Sequence, residues 1–379
     1  MKICVGIPSY NEADRISFVT SQIDKGLTLL QDKYPKIESS VILDADNCSS
    51  DNTTYEFNST PTTSQKDTIL TSGDPGKGKN VLAILKYAVE KNFDAVLTID
   101  ADLESITPEW IVEFSELVIN NKADFVYPEY KRNRFEGSTT NHFAYPLLYA
   151  YFGKDMRQPI GGDFAMSVNY ARHILHKNIP AGAYKYGIDV FLSMNAVAEG
   201  FAISMARLGK KIHKPSFLRM REMFPQIAAS AMETMRAYDR SSTFESVNHT
   251  GINIIDKTVF THLREAELIR QEECANLVSM LDGQVLWLDK KLAKELKSFF
   301  PDNFSKFDSD HWVAVLGEWV SFMLKNPNIN SQKHACELLP FFVVRAVNFW
   351  NESKTQSASW VENKVRQQAA NLKKYLDNK

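Results

Sequence analysis

Long hydrophobic runs, regular cysteine spacing and an excess of one charge are all missing from this sequence of 379 residues. No apolar run approaches the roughly 20 residues of a membrane-spanning helix, and the start MKICVGIPSYNE turns polar too soon for a signal peptide. The four cysteines show no CxxC spacing, which argues against a zinc knuckle or a disulfide framework. A net charge of −2 predicts no broad attraction to nucleic acid or to an anionic membrane. We therefore expect a cytoplasmic globular protein, long enough for two domains.

The first part of the chain alternates β-rich runs with amphipathic helical patterns. Strands are predicted at residues 3–7, 40–43, 68–70, 95–99 and 125–127, and a helix at 80–92. Such alternation is typical of an α/β, Rossmann-like fold, in which a mostly parallel sheet carries helices on both faces. Ligands of these folds bind beyond the carboxyl ends of the strands.

The pattern changes after about Met223, where strand signals almost cease. Helices are predicted at 256–281, 284–299, 309–325, 330–350 and 358–377, with breakers between them. We therefore predict two domains, residues 1–225 and an α-helical domain of residues 226–379. The helical part holds Trp287, Trp312, Trp319, Trp350 and Trp360, which we expect in its core rather than in a binding site, and its helices are a possible surface for a homo-oligomer.

Two polar motifs follow the first two predicted strands. In IPSYNE (7–12), a helix beginning near Asn11 and Glu12 would offer backbone N–H groups to an anion, although Asn11 is also a good helix cap. In DNCSSDNT (46–53), Asp46 can accept hydrogen bonds from a base or a ribose, or the loop can satisfy only its own backbone.

Two further motifs follow the third and fourth strands. In GDPGKGKN (73–80), glycines allow close backbone approach and Lys77 supplies a positive charge for phosphate, although the loop lacks the GxxxxGK[ST] spacing and can be only a loop. In IDAD (99–102), two carboxylates one residue apart are hard oxygen ligands suited to Mg²⁺ or Mn²⁺, and such an ion would relieve their repulsion. The alternative for this pair is a role in capping the next helix.

These four motifs resemble, in sequence and spacing, the nucleotide-binding half of GT-A glycosyltransferases. Three later stretches look like those of the mannosylglycerate synthase family: RQPIGGDFAMS (157–167), YGIDVFL (186–192) and LGKKIHKPSF (208–217). The resemblance covers roughly residues 1–225. It implies a GT-A fold followed by the helical domain.

The resemblance also implies roles for individual residues. The donor nucleotide sugar would be bound by Pro8, Tyr10, Glu12, Asp46, Lys77, Asp100, Gln158 and Lys214. A divalent metal would be held by Asp102 and His213. The groups at the reacting centre would be Asp100, Ile160, Gly161 and Asp189. The acceptor would be bound by Arg132, Arg134 and Thr139, in the segment YKRNRFEGSTTN (130–141).

The function implied is that of a metal-dependent hexosyltransferase. It would move mannose or glucose from a GDP- or UDP-sugar to a small hydroxy acid such as glycerate, with retention of anomeric configuration. One alternative is an inverting, family-two-like transferase with Asp189 as base, acting on a lipid, glycan or protein. The others are a sugar nucleotidyltransferase and a non-catalytic sugar-nucleotide binder. Ser9 replaces a lysine of the family and Lys214 an arginine, which leaves the donor base, the sugar and the acceptor open.

Overall fold

The computed structural model describes residues 1–241, 243, 245, 254–255, 263–283 and 285–379. The chain divides into two compact units. The first consists of residues 1–130 and 158–214, and the second of residues 131–157 and 215–379. The sequence did not predict that residues 131–157 belong with the C-terminal part. The predicted division at 225 falls within a helix, and whether residues 1–225 and 226–379 fold as separate domains stays a prediction.

A mixed sheet organises the first unit. Its strands are β1 (Lys2–Ser9), β2 (Ser39–Asp46), β3 (Gln65–Leu70), β4 (Ala95–Thr98), β5 (Phe125–Asn133), β6 (Phe164–Ser167) and β7 (Ile203–Lys210), and the two-residue β8 (Ile254–Ile255) pairs with the end of β5. The strand order is β3-β2-β1-β4-β6-β5-β7. The five predicted strands are confirmed as β1 to β5, whereas β6 and β7 were not predicted.

The parallel part of the sheet brings the sequence motifs to one edge. Strand β1 runs parallel to β2 and β4, and β2 runs parallel to β3. Strand β6 is antiparallel to β4 and β5. Because the carboxyl ends of parallel strands meet at one edge, the four motifs that follow β1 to β4 lie along that edge.

Helices cover both faces of this sheet, as predicted. The first unit contains α1 (Ile16–Lys33), α2 (Thr53–Ser59), α3 (Lys77–Glu90), α4 (Pro108–Ile119), α6 (Val168–Leu175) and α7 (Ile188–Ala198). Side chains alternate along β1: Ile3, Val5 and Ile7 enter the core formed with α1 and α4. Gly6 faces the other way, where an added Cβ would lie 2.4 Å from Cγ2 of Ile84 in α3.

The second unit is helical. It contains α5 (Tyr145–Phe152), α8 (Met220–Met235), α9 (Leu263–Asp282), α10 (Lys290–Lys297), α11 (Ser309–Lys325), α12 (Ser331–Ser353) and α13 (Ala358–Asp377). Three predicted helices match α11, α12 and α13. The helix predicted at 284–299 is too long, because α10 begins only at Lys290, after the side-chain cap of Asp289. The start of the helix predicted at 256–281 lies outside the described residues.

Four of the five tryptophans predicted for the core of the second unit are buried, including Trp287 at 3% exposed, whereas Trp360 is half-buried and packs against a core cluster. Trp312, Trp319 and Trp350 are at most 1% exposed. The indole N–H of Trp319 donates to the carbonyl of His334 at 3.0 Å, which satisfies the polar end of a buried ring. None of the helices in the described parts of the chain is long and apolar enough to cross a membrane.

The contact between α1 and α4 depends on Gly26. A Cβ at this position would lie 2.6 Å from the carbonyl oxygen of Pro108 and 2.7 Å from Cβ of Ile111. We expect Gly26→Ala to lower the free energy of unfolding by about 1–3 kcal/mol through overpacking, although alanine is the better helix former by about 1 kcal/mol. Urea denaturation measures the change. The exposed neighbour Lys25 provides the control Lys25→Ala, and a Gly26→Ala protein as stable as the wild type would contradict the close approach.

Candidate active site

The loops that follow β1 and β2 are hydrogen-bonded to each other. The backbone N–H of Asn11 donates to Oγ of Ser49 at 2.8 Å, and that of Glu12 donates to Oγ1 of Thr53 at 2.8 Å. Asn11 has a φ of 55°, which asparagine tolerates better than most residues. Helix α1 therefore begins at Ile16, so the prediction of a helix start near Asn11 and Glu12 with free N–H groups is wrong.

Asp46 lies inside this pair of loops. It is 2% exposed, and it accepts hydrogen bonds from the backbone N–H of Ser49 at 2.9 Å and from the hydroxyls of Ser9 and Thr54 at 3.3 and 3.4 Å. Its carboxylate thus fixes the turn in this structure. Beside it, Tyr10 is 44% exposed and Pro8 is half-buried. The predicted nucleotide contacts of these three residues stay predictions.

A second carboxylate, Asp44, lies two residues earlier on β2, and the sequence analysis missed it. Asp44 is fully buried; its Oδ1 accepts from the hydroxyl of Ser9 at 2.6 Å, and its Oδ2 has no hydrogen-bond partner among the described residues. Burial raises the pKa of Asp44 to about 7; the Ser9 hydrogen bond opposes the shift, and the nearby charge of Asp46 adds to it. In the sequence, Asp44 reads only as an interruption of an apolar strand.

The glycines around Lys77 serve the packing of the protein itself. A Cβ on Gly78 would lie 1.8 Å from the carbonyl oxygen of Ala183, and one on Gly76 would lie 2.4 Å from that of Tyr184. The interpretation that these glycines admit a ligand is therefore wrong for both positions, because the 183–185 backbone occupies that space. They do place Lys77 as the first residue of α3.

Asp100 follows β4 and lies between two lysines. Nζ of Lys77 is 2.7 Å from Oδ1 of Asp100, and Nζ of Lys211 is 2.9 Å from Oδ2. Burial alone would raise the pKa of Asp100, but the charges of Lys211 and Lys77 outweigh burial and hold that pKa well below its usual range. The expectation from the sequence is that a metal ion relieves the repulsion between the two carboxylates; at Asp100, two ammonium groups provide that relief.

Lys211 and Asp163 complete this cluster, and neither was predicted as a site residue. Lys211 is 3% exposed and Asp163 is fully buried. Nζ of Lys211 donates to Oδ2 of Asp163 at 2.7 Å and to the carbonyl of Gly161 at 2.8 Å. Asp163 also accepts from the hydroxyl of Tyr130 and from the backbone N–H of Asp100, the latter at 2.7 Å. The only signals in the sequence were the positions of these residues in the GGDF and GKKIH stretches.

The predicted sugar-binding turn lies beside the cluster. The side chain of Gln158 is buried, donating to the carbonyl of Tyr130 at 2.8 Å and accepting from its N–H at 3.3 Å. Ile160 is half-buried. Gly162 has a φ of 93°, and a Cβ there would lie 2.2 Å from Oδ2 of Asp100, so this position requires glycine.

Asp189 lies in the first turn of α7, where Oδ1 is 3.3 Å from Nζ of Lys77. Burial raises the pKa of Asp189; Lys77 opposes the shift, and the charge of Asp100 adds to it. The pKa of Lys77 is itself raised, because Asp100 and Asp189 together outweigh the opposing effect of burial. The structure thus brings Lys77, Asp100 and Asp189 together.

Asp102 has a different environment from Asp100. It is half-buried, its Oδ2 accepts from the backbone N–H of Lys214 at 3.3 Å, and no ion pair to it occurs among the described residues. Burial and then the charge of Asp100 raise the pKa of Asp102. The side chain of Lys214 is 2.6 Å from Glu12 and 3.1 Å from Asp14, so Lys214 holds the β1 loop near Asp102.

The carboxylate of Asp102 is an oxygen ligand of the kind that Mg²⁺ and Mn²⁺ prefer. His213 is half-buried and directly precedes Lys214, whose backbone N–H contacts Asp102. The binding of a metal by Asp102 and His213 stays a prediction. No group of three or more His, Cys, Asp or Glu side chains able to hold a metal occurs in the described parts of the chain. Mg²⁺ and Mn²⁺ that act on nucleotides commonly use only one or two protein ligands.

The three predicted acceptor residues belong to the second unit. Arg134 is 7% exposed, and its guanidinium donates to the carbonyl of Gln356 at 2.7 Å. Thr139 is buried, and its hydroxyl lies 3.4 Å from the sulfur of Met220. Arg132 is half-buried. Their contact with an acceptor stays a prediction.

No protein-family model matches the chain, and no curated protein sequence matches it. Among solved structures, similar ones are of glucosyl-3-phosphoglycerate synthase from Mycobacterium tuberculosis. The complex with Mn²⁺, UDP and phosphoglyceric acid is 22% identical over 62% of this chain and 78% of that chain, with a TM-score of 0.49. The complex with Mn²⁺, UDP-glucose and glycerol 3-phosphate is 21% identical over 62% and 80%, with a TM-score of 0.47.

The buried Asp44 predicts a pH-dependent stability. Because its native pKa of about 7 lies above that of an exposed aspartate, Asp44 favours folding while it is protonated, below about pH 4, and this contribution is lost as the pH rises to 7. Asp44→Asn is neutral at every pH. Relative to the wild type, its free energy of unfolding should therefore rise by up to about 3 kcal/mol between pH 5 and pH 8.

Urea denaturation of both proteins at the two pH values measures this difference. Asp32→Asn, at an exposed aspartate on α1, is the matched control and should show no comparable trend. A constant stability difference between Asp44→Asn and the wild type across the pH range would mean that Asp44 is ionised in the folded protein.

Proposed function

We propose that this chain is a metal-dependent glycosyltransferase that moves a hexose from a nucleoside diphosphate sugar to a small hydroxyl acceptor. The observation that carries the proposal is the arrangement at the carboxyl end of β4. There, Lys77 forms ion pairs with both Asp100 and Asp189, while Asp102, two residues on, has no ion pair among the described residues. Cations for a diphosphate and oxygen ligands for a metal thus occur at the edge where α/β folds bind ligands.

Asp102 and His213 would hold Mg²⁺ or Mn²⁺ in this proposal. The ion, when bound, supplies positive charge that stabilises the leaving diphosphate. The side chain of Lys77 is 18% exposed, so it can exchange a carboxylate for a phosphate oxygen. Asp100 then remains paired with Lys211 and is oriented to accept hydrogen bonds from the ribose or the sugar. Pro8, Tyr10, Glu12, Asp46 and Lys214 complete the proposed nucleotide site.

The donor sugar would lie beside the 158–163 turn and Asp189. Breaking the glycosidic bond generates positive charge on the sugar ring, which backbone carbonyls and carboxylates can stabilise. The carbonyls of Gly161 and Gly162 already accept hydrogen bonds from Lys211 at 2.8 Å and Lys77 at 3.2 Å. Because these two carbonyls are already hydrogen-bonded, we propose that Ile160 and Asp189 contact the sugar ring directly. Gly161 would support them without contacting the sugar.

A hydroxy acid such as glycerate is the proposed acceptor, bound by Arg132, Arg134 and Thr139. Arginine suits a carboxylate because its planar fork can donate two parallel hydrogen bonds. The second candidate is an inverting transferase with Asp189 as the base that activates the acceptor hydroxyl. The position of Asp189 in the cluster, with its pKa raised by burial, favours this candidate enough to require a direct test.

Metal-dependent nucleotide binding tests the proposal. UDP-glucose and GDP-mannose, with Mn²⁺, are the first probes. We expect Asp102→Ala and His213→Ala to lower the hydrolysis or transfer rate by at least about a hundredfold and to abolish the Mn²⁺ dependence of nucleotide binding in calorimetry. Asp102→Ala should leave the fold intact, because Asp102 has no ion pair among the described residues, and circular dichroism checks the fold of both variants. The exposed His176 gives the control His176→Ala.

Three results would count against this assignment. Near-native rates in both Asp102→Ala and His213→Ala would remove the metal site. Binding of a nucleotide sugar without any turnover would favour a non-catalytic sugar-nucleotide binder. Release of pyrophosphate from a nucleoside triphosphate and a sugar phosphate would favour a nucleotidyltransferase.

The anomeric configuration of the product separates the two mechanisms. We expect retention, on the resemblance of the QPIGG stretch to retaining transferases. A proton NMR spectrum of the glycoside product reports the configuration, because the anomeric centre of a glycoside does not mutarotate. In the retaining case Asp189→Asn should keep the configuration and part of the rate. An inverted product would instead support Asp189 as the general base, and Asp189→Asn should then lose activity by about 10²–10⁴-fold.

A further inference from the structure

Lys77 and Lys211, the two lysines that pair with Asp100, differ in how deeply their side chains are buried. The side chain of Lys77 is 18% exposed, whereas that of Lys211 is 2% exposed. Lys77 can leave Asp100 for a phosphate and keep contact with water. If Lys211 left, the fully buried Asp163 would lose its cation, which is costly for a carboxylate in a protein interior. We therefore expect Lys211 to keep its ion pairs when a ligand binds, and Lys77 to exchange Asp100 for a phosphate oxygen.

The three donors of the Lys211 ammonium group match three acceptors. Nζ is 2.9 Å from Oδ2 of Asp100, 2.7 Å from Oδ2 of Asp163 and 2.8 Å from the carbonyl oxygen of Gly161. It also lies 5.1 Å from the centre of the Tyr130 ring, a favourable place for a cation. A single ammonium group thus joins the end of β4 to the glycine turn and to the segment after β7.

This junction leaves little freedom in the turn. Asp163 accepts from the backbone N–H of Asp100 at 2.7 Å, so the carboxylate of Asp163 is also bonded directly to the backbone at the end of β4. A Cβ on Gly162 would lie 2.2 Å from Oδ2 of Asp100 and 2.9 Å from Nζ of Lys211. The 161–163 backbone is therefore packed directly on the ion pair, and its position follows that of Lys211.

We propose that Lys211 is a positioning residue for the donor sugar: it sets the places of Asp100 and of the 160–163 turn, and touches neither substrate. This inference rests on the proposed function, because it assigns the turn to the sugar of a nucleoside diphosphate sugar. In this proposal Lys77 binds the diphosphate, whereas Lys211 only holds the residues that bind the sugar. Loss of Lys211 should therefore weaken binding of the sugar nucleotide more than binding of the nucleotide alone, because the turn faces only the sugar whereas Asp100 can also contact the ribose.

The test needs a variant that folds without the ammonium group. Lys211→Met alone leaves Asp163 buried without its cation and should lower the melting temperature. The double variant Lys211→Met/Asp163→Asn removes one charge of each sign, and its side-chain amide oxygen can still accept from the N–H of Asp100, so it should recover most of that loss. Lys210→Met, at the exposed adjacent lysine, is the matched control.

Calorimetry with Mn²⁺ compares two probes, the sugar nucleotide that the wild type binds (UDP-glucose or GDP-mannose) and the corresponding UDP or GDP. For the double variant we expect affinity for the sugar nucleotide to fall about 10- to 100-fold, the cost of losing one hydrogen bond to a charged group. Affinity for UDP or GDP should fall by a clearly smaller factor. Lys210→Met should change both affinities by no more than about twofold.

The possible results are distinct. Unchanged affinities for both probes in a folded double variant would show that Lys211 only balances charge. An equal loss of affinity for both probes would show that Lys211 acts on the nucleotide part of the site. Either result overturns the inference, while the proposed function stands. A wild-type protein that binds neither probe would overturn the proposed function and, with it, the role given to Lys211.

Discussion

The structure around the four motifs depends on one carboxylate that is shared by two lysines. Asp100 follows a central strand, and its two oxygens face Lys77 and Lys211 at 2.7 and 2.9 Å. Two cations among the carboxylates of Asp100, Asp163 and Asp189 keep a buried group of charges nearly balanced. The ionised state of Asp100 follows from this pairing, whereas Asp102, two residues away, forms no ion pair in the described parts of the chain and is for that reason our proposed metal ligand.

Much of the remaining site serves to hold this cluster in place. The loops after β1 and β2 are joined through Asn11 and Ser49, and Gly78 is packed on the carbonyl of Ala183. Polar and glycine-rich motifs are commonly interpreted as ligand contacts, but several of these residues first satisfy the backbone of the protein itself. In the function that we propose, a smaller number of side chains, among them Lys77, Asp102 and Tyr10, would contact the nucleotide.

The sequence predicted those features that depend on local patterns. Strands β1 to β5 and the motifs at their ends follow from β-rich runs bounded by turn residues, and α11 and α13 from helical periodicity. Lys211 could not be predicted, because side chains alternate along an extended segment and only the partner residues decide whether Lys210 or Lys211 points inward. The assignment of residues 131–157 to the second unit likewise depends on contacts far apart in sequence, and β6 has too few residues to show a period.

A crystal structure of this protein with UDP or GDP and Mn²⁺ tests the central claim most directly. We expect the diphosphate to lie against Lys77 at the carboxyl end of β4, the ion to be bound by Asp102 and His213, and the pair between Asp100 and Lys211 to remain as it is without ligand. A nucleotide bound elsewhere, or a complex in which Lys211 has left Asp100, would contradict this account.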